Sequence, residues 1–263
     1  MKRFFILSQA LLFSLILYGQ ALAIPLTAPG NRHNLSKGSG GVMATTETRI
    51  CVFCHTPHGA SPQSPLWNRQ DPAQTNFPLY ASPTLEIQNI PAAGYSAADQ
   101  TKYPNGASRM CLSCHDGVSS VGAVISQTSK IIMNYDTLGA YDTATSSKTT
   151  IDLSKSHPIS FVYSAAVKDA INVAEALPSH GLATYKLPLA GSKTTLDGNE
   201  RMQCTTCHDP HNDTNNGTTY TLPFWANNVT GVEATDYDNT CNECHVSGDW
   251  NSWATPPLSF PNH

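Results

Sequence analysis

The chain has 263 residues, with 15 Lys and Arg against 19 Asp and Glu, a formal net charge of −4 and only 13% charged residues. Soluble domains commonly carry about 25% charge, so uncharged polar side chains must cover this surface, and an acidic balance without a basic stripe argues against a nucleic-acid binder. Eight cysteines are too few for a disulfide scaffold on composition alone, so their placement carries the reading.

Met1-Lys2-Arg3 is a short positive start, and Phe4 to Leu17 is almost wholly apolar before the chain relaxes through Tyr18-Gly19-Gln20 to Ala21-Leu22-Ala23. This is the pattern of a cleavable export signal over residues 1–23, with a mature N-terminus at Ile24. The apolar core is interrupted by Ser8, Gln9 and Ser14 and is short for a membrane span of about 20 residues. Losing Lys2 and Arg3 leaves 13 basic against 19 acidic residues, a net −6. The expected product is exported and soluble, with no lipid-modified cysteine, since none precedes Cys51.

Residues 24–263 read as one domain with weak periodicity. The best helix runs from Ser164 to Leu177, where Val167, Ala170, Ile171 and Ala174 form one face and Pro178 stops it. Tyr185 to Leu189 and Lys193 to Leu196 are candidates for a hairpin across Ala190-Gly191-Ser192. Elsewhere Gly, Pro, Asn, Ser and Thr recur, as in Asn212-Asp213-Thr214-Asn215-Asn216-Gly217. Such a chain buries too little apolar surface to offset its ordering entropy. Something besides side chains must supply the core.

Every cysteine falls in one repeated motif: Cys51-Val52-Phe53-Cys54-His55, Cys111-Leu112-Ser113-Cys114-His115, Cys204-Thr205-Thr206-Cys207-His208 and Cys241-Asn242-Glu243-Cys244-His245. Each is C-x-x-C-H, the attachment signature of c-type haem. Two intervening residues let both sulfurs reach the vinyl groups on one porphyrin edge, and the following histidine becomes the proximal iron ligand. Disulfides, paired zinc sites and thioredoxin-like redox pairs do not require that histidine, and certainly not four times. The expectation is four covalently bound haem c groups held by Cys51, Cys54, Cys111, Cys114, Cys204, Cys207, Cys241 and Cys244, with His55, His115, His208 and His245 on iron. With one macrocycle per about 60 residues, the fold class follows: mostly irregular, loop-rich, with few short helices and minimal strand, wrapped around a chain of haems.

Six histidines remain for the distal faces: His33, His58, His157, His180, His211 and His263. His58 and His211 each follow a proximal histidine by three residues, in a shared Cys-His-x-Pro-His string. The local chain lies on one face of its own haem, so His58 and His211 must each serve a different haem, which draws haems into close pairs. His157, in Ser156-His157-Pro158, and His33, in Asn31-Arg32-His33-Asn34, complete the distal set. His180 lies in a turn beyond the helix and His263 is the last residue, so capping and exposure explain them. Met110 and Met202 sit too near their own attachment sites, while Met43 and Met133 read as packing residues. Histidine on both faces closes iron to substrate and lowers its potential relative to a methionine-ligated haem. The reading is an electron carrier with no catalytic residues, not an enzyme.

Those strings also carry a resemblance. His33-Asn34-Leu35-Ser36, the octapeptides at 51–58 and 204–211, Pro65-Leu66-Trp67-Asn68-Arg69 and Ser156-His157-Pro158-Ile159-Ser160-Phe161 resemble the multihaem c-type cytochromes of metal-reducing bacteria, the OmcE-like tetrahaem extracellular cytochromes in particular. The likeness spans most of residues 24–263, and its specific part is the haem motifs with their flanks. It implies bis-histidine haems, the distal set His33, His58, His157 and His211, an extracellular or outer-surface location, and electron delivery to other cytochromes, external metals or electrodes. It further implies head-to-tail polymerisation of the chain with itself into a conductive filament. His58 reaching the neighbour's haem held by His245 is the expected joint, with His33 the second candidate donor.

Two other classes remain. A monomeric periplasmic shuttle would use the same haems with every ligand in cis, but would favour a charged docking patch that 13% charge does not suggest. A multihaem reductase needs one open iron beside acid–base groups, and the histidine supply argues against it. The Asn-x-Ser/Thr triplets at Asn34, Asn212, Asn216 and Asn228 are expected by chance in so Asn- and Thr-rich a chain.

Overall fold

The structure is a computed structural model, and it describes residues 24–27, 30–61, 64–80, 103–139, 141–142, 147–154, 156–175, 185–213, 224–227 and 233–246. Residues 1–23, His180 and His263 lie outside them. Regular structure is brief. Helix α1 covers Gly106–His115, α2 Ala165–Glu175, α3 Cys204–Cys207 and α4 Glu233–Cys241, with a 3-10 turn at Cys51–Phe53. Two antiparallel ladders of two residues each pair β1 (Ile24–Pro25) with β4 (Asn212–Asp213) and β2 (Tyr141–Asp142) with β3 (Ser147–Lys148). The loop-rich architecture expected from the sequence is what the structure shows. No helix among the described residues is long and apolar enough to cross a membrane.

Each attachment motif sits on or at the end of a helix or 3-10 turn, for a stereochemical reason. In the first, third and fourth motifs the histidine N–H donates to the carbonyl of the first cysteine, at 2.7 Å for His55→Cys51, 3.0 Å for His208→Cys204 and 3.0 Å for His245→Cys241. One helical turn therefore carries each motif, and positions three and four apart share a face. The second motif forms the last turn of α1, closed by Asp116 N–H on the Leu112 carbonyl at 3.1 Å.

Apolar packing is divided. One cluster joins Leu35, Ala44, Phe53, Val121, Val124 and Ile131, with Met133 against it. A second joins Phe77, Leu112 and Leu153. The third joins Phe161, Tyr163, Val167, Ile171, Met202 and Cys244. Each contains a residue of an attachment motif (Phe53, Leu112, Cys244), so the apolar surface gathers where a macrocycle would cover it.

Helix α2 matches its expected position, and Val167 and Ile171 are buried as its pattern requires, but Ala170 is exposed. The expected hairpin does not form. A turn closes at Ser192 N–H to the Leu189 carbonyl, 3.0 Å, but the first arm pairs elsewhere: Tyr185 bridges His245, and Lys186 N–H donates to the Cys244 carbonyl at 2.8 Å. The fourth motif uses the edge that a hairpin partner would have taken.

Side chains tie the motifs to one another. Ser108 on α1 donates to Gln203 Oε1 at 2.6 Å and accepts from Cys204 N–H at 3.0 Å, and Gln203 Nε2 donates to Asp197 at 2.9 Å. Gln203 is 1% exposed and Ser108 is fully buried. Gln203→Ala strips a buried hydroxyl and amide of their acceptor, which costs about 1–3 kcal/mol; thermal melting of the haem-loaded protein measures it. Gly117 has φ +85°, and a Cβ there would collide with the Thr149 carbonyl oxygen. Gly117→Ala therefore combines left-handed strain with a backbone clash, and is expected to cost at least about 2 kcal/mol in the same melt.

Candidate haem sites

The four motifs bring their sulfurs together in sequence order across the molecule. Asn68 spans the first: its N–H donates to the Cys54 carbonyl at 2.9 Å and its amide to the Val52 carbonyl at 2.6 Å. Arg69, next along, is 2% exposed and donates into the second motif at the Ser113 carbonyl, 2.7 Å. Cys111 and Cys204 hydrogen-bond each other, which raises the Cys111 thiol and, helped by Ser108, lowers that of Cys204 to about 7. Burial pushes Cys54, Cys207 and Cys244 up to about 12. Among the described residues no three His, Cys, Asp or Glu groups form a metal cage.

The histidines pair across the motifs. The rings of His55 and His211 lie 6.4 Å apart and 12° from parallel. Those of His33 and His115 are separated by 5.9 Å, and those of His157 and His245 by 6.3 Å, crossing at 70° and 83°. Two metal–nitrogen bonds of about 2 Å, with each ring centroid roughly 1 Å behind its nitrogen, give about 6 Å for two imidazoles sharing one metal. All three separations agree.

Each incoming ring is also oriented. His33 Nδ1 lies 2.9 Å from the Pro210 carbonyl, His157 Nδ1 2.9 Å from the Pro158 carbonyl, and His211 Nδ1 3.5 Å from Asp209. A partner on Nδ1 fixes the tautomer and leaves Nε2 as the ligating atom. Burial lowers the imidazole pKa of His157, although part of its surface is exposed, and burial with His157 opposite lowers His245 to about 4. Both are then neutral imidazoles, the form that binds a metal.

His211 thus faces His55 and not its own neighbour His208. His33 and His157 also face proximal histidines. His58 is exposed, and its ring has no partner among the described residues. Within the chain His157 lies opposite His245, at the place where the expected joint would set the His58 of a neighbour.

The geometry exposes a repeat that the sequence analysis took only as far as Cys-His-x-Pro-His. Past that string the chain returns antiparallel, so that His55 bridges Trp67 and His208 bridges Trp225. In one copy Thr56 N–H donates to the Leu66 carbonyl at 2.8 Å and Asn68 N–H to Cys54 at 2.9 Å; in the other Asp209 donates to Phe224 at 2.7 Å and Ala226 to Cys207 at 2.8 Å. Leu66 and Phe224 both adopt positive φ, 66° and 55°. Pro65-Leu66-Trp67 and Pro223-Phe224-Trp225 were the signal. The indole Nε1 of each tryptophan is buried without a hydrogen-bond partner, beside a proximal histidine, at 5.8 Å for Trp67 and 5.0 Å for Trp225. Two orphaned donors at equivalent places fit a group that brings its own acceptors, as a haem brings carboxylates.

Residues 198–249 match the doubled CXXCH motif. That segment holds the third and fourth attachment motifs. The doubled motif indicates a haem-binding c-type cytochrome with covalently attached haem. No curated protein matches the chain.

Proposed function

We propose that the protein is a tetrahaem, bis-histidine electron conductor that acts outside the cell, in the manner of the OmcE-like cytochromes it resembles, and that it polymerises head to tail. The observation that carries the reading is the set of three histidine pairs at 5.9–6.4 Å. A haem held this way gains and loses single electrons and offers no open position to substrate. The chain's own part is to hold each pair of rings: His33 with His115, His211 with His55, His157 with His245. Contact between Cys111 and Cys204, and the Ser108–Gln203 clamp, keep the second and third attachments adjacent. The apolar clusters exclude water around them.

The internal repeat supports a specific joint. Within one chain the second module's His211 faces the first module's His55. His58 is the first module's counterpart of His211, and it is exposed. The same module contact made between chains sets His58 opposite His208 of the partner subunit. A heterologous contact of this kind does not close on itself and builds a filament. Residues 1–23 supply the export signal for this location.

Mass spectrometry of the exported protein tests the count, with four porphyrin adducts expected. Visible and EPR spectra test the ligation. Low-spin iron throughout, with little carbon monoxide bound after reduction, is the expected result; a major high-spin signal would instead favour a reductase. Sedimentation separates a polymer from the monomeric shuttle.

A further inference from the structure

Arg69 is the largest fully buried side chain among the described residues, at 2% exposed. Its guanidinium donates from Nε to the Ser113 carbonyl and hydroxyl at 3.1 and 3.2 Å, from Nη1 to the Val121 carbonyl at 2.8 Å, and from Nη2 to the Ser113 and Ser120 carbonyls at 2.7 and 2.8 Å. Every acceptor is a neutral dipole. The ion pairs among the described residues do not include it. A buried charge without a carboxylate is costly, and carbonyl dipoles satisfy its hydrogen bonds without cancelling its charge.

Its position is between two attachments. Ser113 precedes Cys114, and the adjacent Asn68 binds the Cys54 carbonyl. Asp71, two residues on, is engaged by Arg109 at 2.8 and 2.9 Å, and Asp116, after His115, is fully buried and accepts from Gln74, Val118 and Ser119 N–H and from the Ser119 hydroxyl at 2.7–3.0 Å. Asp116 belongs to the second attachment and not to the first.

Resting on the tetrahaem reading above, we propose that Arg69 is the potential-setting residue of the relay: its uncancelled charge raises the reduction potential of the haem held by Cys51–His55 and, less strongly because Asp116 offsets it, that of the haem held by Cys111–His115. Reduction adds an electron, which a nearby cation favours, and the low dielectric around a buried group enlarges the effect. Charge and solvent exclusion near the cofactor are the protein's levers on haem potential. Electrons entering the chain then settle first on this pair, which gives one molecule a downhill direction.

A redox titration of the haem-loaded protein tests this with Arg69→Gln, which keeps amide donors but no charge, and Arg69→Lys, which keeps the charge. Arg69→Gln should lower the electron affinity of two of the four haems, one of them at least tenfold, which is about 59 mV for one electron; Arg69→Lys should leave both nearer their original values. A purely structural role would alter melting and leave the potentials in place. Unchanged potentials in a fully loaded Arg69→Gln protein, or an equal fall in both variants, would overturn the proposal. Should Arg69→Gln not mature, stepwise reduction of the unaltered protein decides: NMR shifts caused by ferric iron must vanish at Val121 before they vanish at Tyr163 and Val167, and the reverse order overturns it. Failure of the tetrahaem reading is distinguishable, because the unaltered protein would then lack four low-spin one-electron steps.

Discussion

His58→Ala is expected to convert a sedimenting polymer into discrete monomers while leaving the fold intact, because the side chain is exposed and its ring supports no contact among the described residues. Surface substitutions of this kind usually change stability by less than about 0.5 kcal/mol. The effect on assembly should be large for the opposite reason. In the proposed filament the same ligand bond recurs at every joint, so one substitution removes it along the whole length. About one haem in four should at the same time become able to bind carbon monoxide after reduction. Sedimentation velocity and a carbon monoxide difference spectrum read the two effects on one sample. Filaments that persist with His58 absent would transfer the joint to another surface.

His157→Met should raise the potential of a single haem, on the order of 0.1 V or more within the roughly 0.8 V range that axial ligands command. His157 faces His245 at 6.3 Å and is oriented through Nδ1 by the Pro158 carbonyl. Methionine in place of imidazole withdraws electron density from iron and favours its reduced state. His157→Ala should instead open that iron, giving a high-spin signal from about one haem in four. Potentiometry resolved at four steps, with EPR of the oxidised protein, measures both. A spectrum unchanged in His157→Ala would mean that another residue holds that face.

The attachment sites were legible because their chemistry is local. A sulfur, two spacers, a second sulfur and an imidazole occupy one helical turn wherever they occur, so C-x-x-C-H carries its own geometry. Distal histidines are a different matter, since pairing depends on where distant segments meet. The Cys-His-x-Pro-His string sets His211 apart from His208, but nothing in it names His55 as the ring it faces. The hairpin at 185–196 failed because strand propensity is silent about competing edges, and the edge of the fourth motif claimed Tyr185. Arg69 was noticed only as part of a string; its burial among carbonyls arises from Ser113, Ser120 and Val121, residues 44–52 positions away and without distinction in composition.

Among the described residues, the separation of apolar side chains into three small clusters, each touching an attachment motif, bears on how the protein is made. No cluster among the described residues is large enough to organise the chain by itself, so the nascent polypeptide should stay open until haem is attached. An open chain presents its eight thiols to the attachment machinery, and each porphyrin stitched in supplies the nucleus on which the next stretch condenses. Maturation and folding are then a single process, and starving the cell of haem should yield degraded polypeptide instead of an empty, folded shell.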